Sequence, residues 1–271
     1  PDQLLAAMVA SFEQARDAVA TVDDAWNRLT SETDRATVEA NRLDALARRL
    51  GEDASTALGN IKAQLDAVRT LIARDPLGAT EAMAAQVWAG LHQLSDRLTA
   101  LETRHRQVVA ELERGHHLLA EIGDTHRRAA EAFARCTAEI ELDGARPAPP
   151  ATGRLDGLTD WLATIDATLR DGRWPAAGIG VGRWMTAAQQ LLADAQAAER
   201  ASGDPLDLRD ELRGRLQARR QQARTLAGRG EKLDAGLAEA ADRAEALLRR
   251  CPCPIDEAAR AVAEYEERLR G

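Results

Sequence analysis

At 271 residues the chain is long enough for one or two domains, and with 30% charged and only 3% aromatic residues it is dominated by the helix formers Ala, Leu, Arg, Glu and Asp. No alternating run rich in Val, Ile and Thr reads as a strand, so an all-α fold with no sheet is expected. The net charge of −8 argues against a nucleic-acid binder, and the longest apolar run near the start, Leu4 to Ala10, is too short for a membrane span or a signal peptide. Three cysteines, an odd number, fit a reducing, cytoplasmic setting better than a disulfide framework.

The first predicted helix covers about 2–50. Its inward stripe reads Met8, Phe12, Ala15, Val19, Val22, Trp26, Leu29, Thr33, Ala36, Ala40, Leu43, Ala47 and Leu50, alternating steps of four and three. That period of 3.5 is the pattern of a helix covered by partner helices along its length. Gly51 closes it. A shorter helix, about 53–74, turns Leu58, Ile61, Leu65, Val68 and Ile72 inward, and Asp75-Pro76 breaks it. The third helix starts near Gly78. From Val87 to Ile140 it carries the same 3.5-residue stripe, interrupted only by His105, Gly115 and His126, and at ~1.5 Å per residue that stretch would reach roughly 80 Å.

Residues 141–153 carry three of the nine prolines and read as a linker between a first helical unit, 1–140, and a second, 154–271. In the second unit a helix is expected over about 154–170, with Leu155, Leu158, Leu162, Ile165 and Leu169 inward. A fifth follows over about 177–201, with Trp184, Ala188, Leu191 and Ala195 on one side. Ser202-Gly203-Asp204-Pro205 reads as stop and restart, and a sixth helix then runs to about Arg250. Cys251-Pro252-Cys253-Pro254 ends it before a last helix over about 255–269. Short helices thus meet proline-bearing turns near 75, 174 and 253, spaced by about 80 to 100 residues, the scale of a spectrin-like three-helix repeat. The expected architecture is an elongated antiparallel bundle in which the long helices find further cover in the second unit or in another subunit, a homodimer included.

Little in the chain points to catalysis. His105 and His126 lie three heptads apart on one stripe, roughly 30 Å, too far to share a metal. His116-His117 are adjacent, not the four-apart pair of a zinc-binding helix. Cys251 and Cys253 with Cys136 lack a fourth ligand. Gly178 to Gly182 has neither the preceding strand nor the Lys-Ser/Thr of a phosphate loop and reads as a helix break or hinge. No triad, carboxylate pair or Cys-His pair stands out, so the chain reads as a non-enzyme with no cofactor and no metal. The arginine run from Arg209 to Arg224 reads as a solvated face or a set of ion pairs. Trp26 and Trp184 fall on core stripes, with Trp88 and Trp161 beside them. Trp88, Trp161 and Trp174, with Arg219 and Arg220, are the candidate protein-contact residues. The alternative is a ligand-sensing bundle with a small-molecule pocket near the bend at 178–182, flanked by Trp161, Trp174 and Trp184.

The run Pro205-Leu206-Asp207-Leu208-Arg209-Asp210-Glu211-Leu212-Arg213-Gly214-Arg215-Leu216, the turn Cys251 to Pro254 and the closing helix Ala258 to Leu269 resemble helical regions of large actinobacterial proteins associated with PknG-type serine/threonine kinases. Arg74-Asp75-Pro76-Leu77 ahead of a long heptad helix is similar too, so the resemblance covers about residues 60–271. It implies an accessory or scaffold role beside a signalling kinase. The chain lacks the Cys-rich zinc-ribbon segment of some of those proteins and has no kinase signature of its own, so the resemblance carries over no catalytic residue.

Overall fold

The structure is a computed structural model that describes residues 2–142, 144 and 148–270. The fold is all-α, 87% helical. Its helices are α1 (Asp2–Leu50), α2 (Ser55–Arg74), α3 (Glu81–Glu139), α4 (Thr152–Arg170), α5 (Trp174–Gly228), α6 (Leu237–Arg249) and α7 (Ile255–Arg270). A small correction to the expected absence of strands is a two-residue parallel pairing of β1 (Ile140–Glu141) with β2 (Cys253–Pro254), in which Ile140 sits opposite Cys253.

The chain forms two compact units, Pro1–Ala110 with Thr168–Ala176, and Glu111–Ala167 with Ala177–Gly271. This division differs from the one expected at the prolines of 141–153. It falls inside α3, because the first and second parts of that continuous helix take different partners. The end of the proline-rich stretch is held in the second unit, where the His126 ring Nε2 lies 2.6 Å from the Pro150 carbonyl. Residues 143 and 145–147 of the expected linker lie outside the described residues.

In the first unit, ion pairs give the helix directions. Arg28 of α1 bonds Glu81 of α3 at 2.8 Å, and Arg49 bonds Glu102, the same sequence offset at both places, so α1 and α3 run parallel. Arg69 of α2 reaches back to Asp34 and Thr37, so α2 runs against them. The reversal after α1 is made at Gly51, whose φ of 66° few side-chain-bearing residues accept and which returns its N–H to the Arg48 carbonyl. Leu43, Leu91 and Leu98 are fully buried in the core between the three helices, each contributing about 1.5–3 kcal/mol of transfer free energy. Trp174, the first residue of α5, belongs to this unit, donating its indole N–H to the Leu50 carbonyl at 2.9 Å and meeting His105 edge-on.

In the second unit the order repeats. Arg128–Glu199 and Arg209–Glu139 join α3 to α5 in parallel, while Arg154–Asp194 and the Trp184 indole N–H on the Leu158 carbonyl place α4 against them. The later part of α5 is then packed by α6 and α7 around Leu212, Leu248, Val262 and Tyr265.

Three expectations for this unit are corrected. Helix α5 runs without interruption through Gly178–Gly182, where no break forms because Gly180 lets the helix close on Ile165. A methyl group there would come within 3.1 Å of the Ile165 side chain. The helix also continues through Pro205, because Ala198 and Ser202 before it and Leu206 and Arg209 after it are all buried on one face. That continuous packing outweighs the one backbone hydrogen bond a proline removes. The real break lies further on, after Gly228. Gly230 adopts φ 81°, and the N–H groups of Gly230 and Glu231 turn back to Ala227 and Leu226, so the expected sixth helix is instead the end of α5 and a separate α6.

Candidate protein interaction surface on α1

The stripe of α1 divides in two at Trp26. From Leu29 onward it is buried, with Leu29 itself only 2% exposed, while Met8, Phe12, Val19 and Trp26 are 65%, 73%, 69% and 44% exposed. This corrects the reading of Trp26 as a core residue within the chain's own bundle; cover by another subunit stays open. The cause is the lengths of the helices. The short α2 ends at Arg74, and α3 begins at Glu81, which the Arg28–Glu81 pair places level with Arg28. Among the described residues, no part of the first unit extends beside the first two dozen residues of α1. Leu4, Leu5 and Val9 widen the exposed face. An amphipathic helix with a bare apolar side is marginal in water, and a contiguous patch of this kind marks a contact surface.

At its Trp26 end the exposed stripe runs into a cleft of about 710 Å³ lined by Trp26, Thr30, Asp34, Arg35, Val38 and Trp88. The Arg35 guanidinium lies 6.0 Å over the Trp88 ring, and the His92 ring lies 5.9 Å from it between centres, tilted by 36°. Glu39 closes the rim. The hydrogen bond from Arg42 holds its carboxyl below the ordinary carboxylate range, against the opposing effect of partial burial. The cleft therefore offers two indole faces bordered by fixed charges of both signs, a setting suited to amphipathic side chains of another protein.

The remaining sequence candidates sit elsewhere. Trp161 is partly exposed on α4. Trp174 is engaged with Leu50 and His105 in the first unit. Trp184 is fully buried against Gly115. Arg220 bonds Glu245 and Asp242, and Arg219 bonds Gln222 at 2.9 Å and faces Glu266 at 3.6 Å, so the arginine run is spent largely on α6 and α7. A groove of about 740 Å³ beside them, lined by Arg213, Arg220, Arg224 and Arg249, has Glu245 among its lining residues, bonded to Arg220 and Arg249. At 178–182, beside which the alternative reading placed a small-molecule pocket, α5 is an unbroken helix. Among the described residues no three His, Cys, Asp or Glu side chains gather as a metal site, and no helix is long and apolar enough to cross a membrane.

Sequence reasoning missed the exposed stripe itself. Its residues carried the right pattern, but pattern alone does not say which chain supplies the cover.

Compared with protein-family models, curated proteins and solved structures, the chain matches none.

Proposed function

We propose that the chain is a non-enzymatic, cytoplasmic scaffold of spectrin-like helix triplets that works by protein–protein contact, with the exposed stripe of α1 as its docking face. The observation that carries this reading is the stripe's abrupt change from buried to exposed between Leu29 and Trp26 without any change in its period. A stripe of period 3.5 selects a helix as its cover, because that period keeps one seam aligned with a supercoiled partner. The cleft between Trp26 and Trp88 gives that partner an anchoring point at one end. The resemblance of residues 60–271 to kinase-associated helical proteins suggests signalling as the setting.

A photo-reactive amino acid placed at Phe12 or Val19 in cells of the source organism tests the reading. Covalent capture of a protein at both positions, and not at Ala20 on the opposite side of the helix, is the expected result. Capture of no protein at any of them would overturn it.

A further inference from the structure

Resting on that reading, we infer that the cover of the α1 stripe is the same stripe of a second copy of this chain, packed antiparallel. The argument starts from the positions that flank the stripe. In a helix pair the residues beside the seam decide orientation through their charges. Here they are Leu4, Val9, Ser11, Arg16, Ala18, Asp23 and Ala25, and only Arg16 and Asp23 are charged, with opposite signs. Both follow a seam residue directly, Ala15 and Val22, so both lie on the same flank. In a parallel pair that flank faces the opposite one, and Arg16 and Asp23 would meet Ser11 and Ala18. In an antiparallel pair it faces itself, and Arg16 of each copy meets Asp23 of the other, twice by symmetry.

The seam residues fit the same arrangement. With Ala15 of one copy opposite Val19 of the other, Phe12 falls opposite Val22 and Met8 opposite Trp26. Each bulky ring faces a slimmer side chain, and the thioether meets the indole. Helical side chains lean toward their own N-termini, so Arg16 and the facing Asp23 lean toward one another in this register. The seam pairs run from Met8 to Trp26 of each copy, and the helix ahead of Met8 then reaches the place where the other copy's own helices take over the stripe, so its first turns must lie beside that end or fray. Moving the second copy one heptad further would drive it into the α2–α3 end of the unit, and moving it back would leave Trp26 bare. In the single chain Arg16 only pairs with its neighbour Asp17 at 3.1 Å, with both side chains well exposed, so little is lost when it changes partner. Phe12, Met8 and Trp26 supply the exposed apolar side chains at the centre of such an interface.

The test is sedimentation of the full chain across a concentration series. The native chain is expected to form a dimer. Phe12→Glu is expected to raise the dissociation constant by about 30-fold or more while leaving the fold intact, since Phe12 touches little within its own chain. Arg16→Asp and Asp23→Arg should each weaken the dimer, and the double variant should restore it. Pairing that is indifferent to these exchanges, or not restored by the double variant, overturns the antiparallel arrangement. A spin label at Ala6→Cys in a Cys251→Ser background should report about 33 Å between copies, from about 22 residues at ~1.5 Å each. A distance under about 20 Å would mean a parallel pair. A chain that stays monomeric overturns self-pairing. If Phe12 in that case captures a different protein in cells, the docking reading survives and only the identity of the cover is wrong; if it captures none, both fall.

Discussion

Gly115 of α3 lies against Trp184 of α5 so closely that a methyl group on Gly115 would come within 3.2 Å of the indole Cζ3 and 3.4 Å of Leu162. A glycine inside a helix costs about 1 kcal/mol relative to alanine, so its presence needs a reason, and this contact supplies one. Gly115→Ala is expected to destabilise the second unit by about 1 kcal/mol, because overpacking of ~1–3 kcal/mol exceeds the gain in helix propensity. Gly123, two turns on in the same helix, has nothing within 4 Å of a Cβ placed on it. Gly123→Ala should stabilise by about 0.5–1 kcal/mol. Urea unfolding of the two variants gives the two opposite signs.

The two halves of the α1 stripe should respond in opposite ways to the same kind of truncation. Leu43 is fully buried, and Leu43→Ala should cost about 3 kcal/mol through lost burial and the cavity left behind. Phe12→Ala should leave unfolding of the dilute chain within about 0.5 kcal/mol of native, since its ring is mostly in water. Thermal unfolding at low protein concentration checks both.

Ser202 is buried on α5, and among the described residues its hydroxyl has no hydrogen-bond partner. It stands three residues before Pro205, where the helix has already given up one backbone hydrogen bond. Removing an unsatisfied buried polar atom is favourable, so Ser202→Ala should stabilise by about 1 kcal/mol, read from the denaturation midpoint at unchanged slope.

Glu266 of α7 is the acid whose protonation the second unit should feel. Its side chain is 9% exposed and accepts a hydrogen bond from Arg215 Nη2 at 2.6 Å, with Arg219 also close at 3.6 Å. The Arg215 hydrogen bond holds its carboxyl below the ordinary 4.5, against the opposing effect of burial. A depressed folded-state value means the pair stabilises fully above about pH 4.5, and that its contribution is lost as pH falls through the folded-state value. Glu266→Gln should therefore cost about 1–2 kcal/mol at pH 7 and progressively less as the solution is acidified through about pH 4 and below. Urea titrations at several pH values measure the closing gap.

The helical class, the bounds of α1 and the helix ends at turns near 75, 171 and 250 are legible in the sequence, because apolar period and Pro or Gly punctuation are local signals. The errors share a cause in packing between helices. Gly178 to Gly182 and Pro205 look like breaks when only local propensity is counted, yet Ile165 fills the space at Gly180, and buried residues on both sides of Pro205 keep α5 whole. Gly230, which interrupts no stripe position out of step, hides a real break that shows only in its positive φ. Trp26 reads as core because its spacing matches Leu29 and Leu43. Its exposure follows from the length of α2 and the start of α3, which are properties of other segments.

The account turns on the border between Trp26 and Leu29, and amide hydrogen exchange along α1 measures it most directly. Amides of residues 29–50 should be protected at every protein concentration. Those of residues 5–22 should be slow in concentrated solution and become fast on dilution, as the second copy leaves and the bare helix opens. Protection of residues 5–22 equal to that of 29–50 and independent of concentration would mean that the chain covers its own stripe, and fast exchange there at every concentration would mean that no second copy does. Either result contradicts the account.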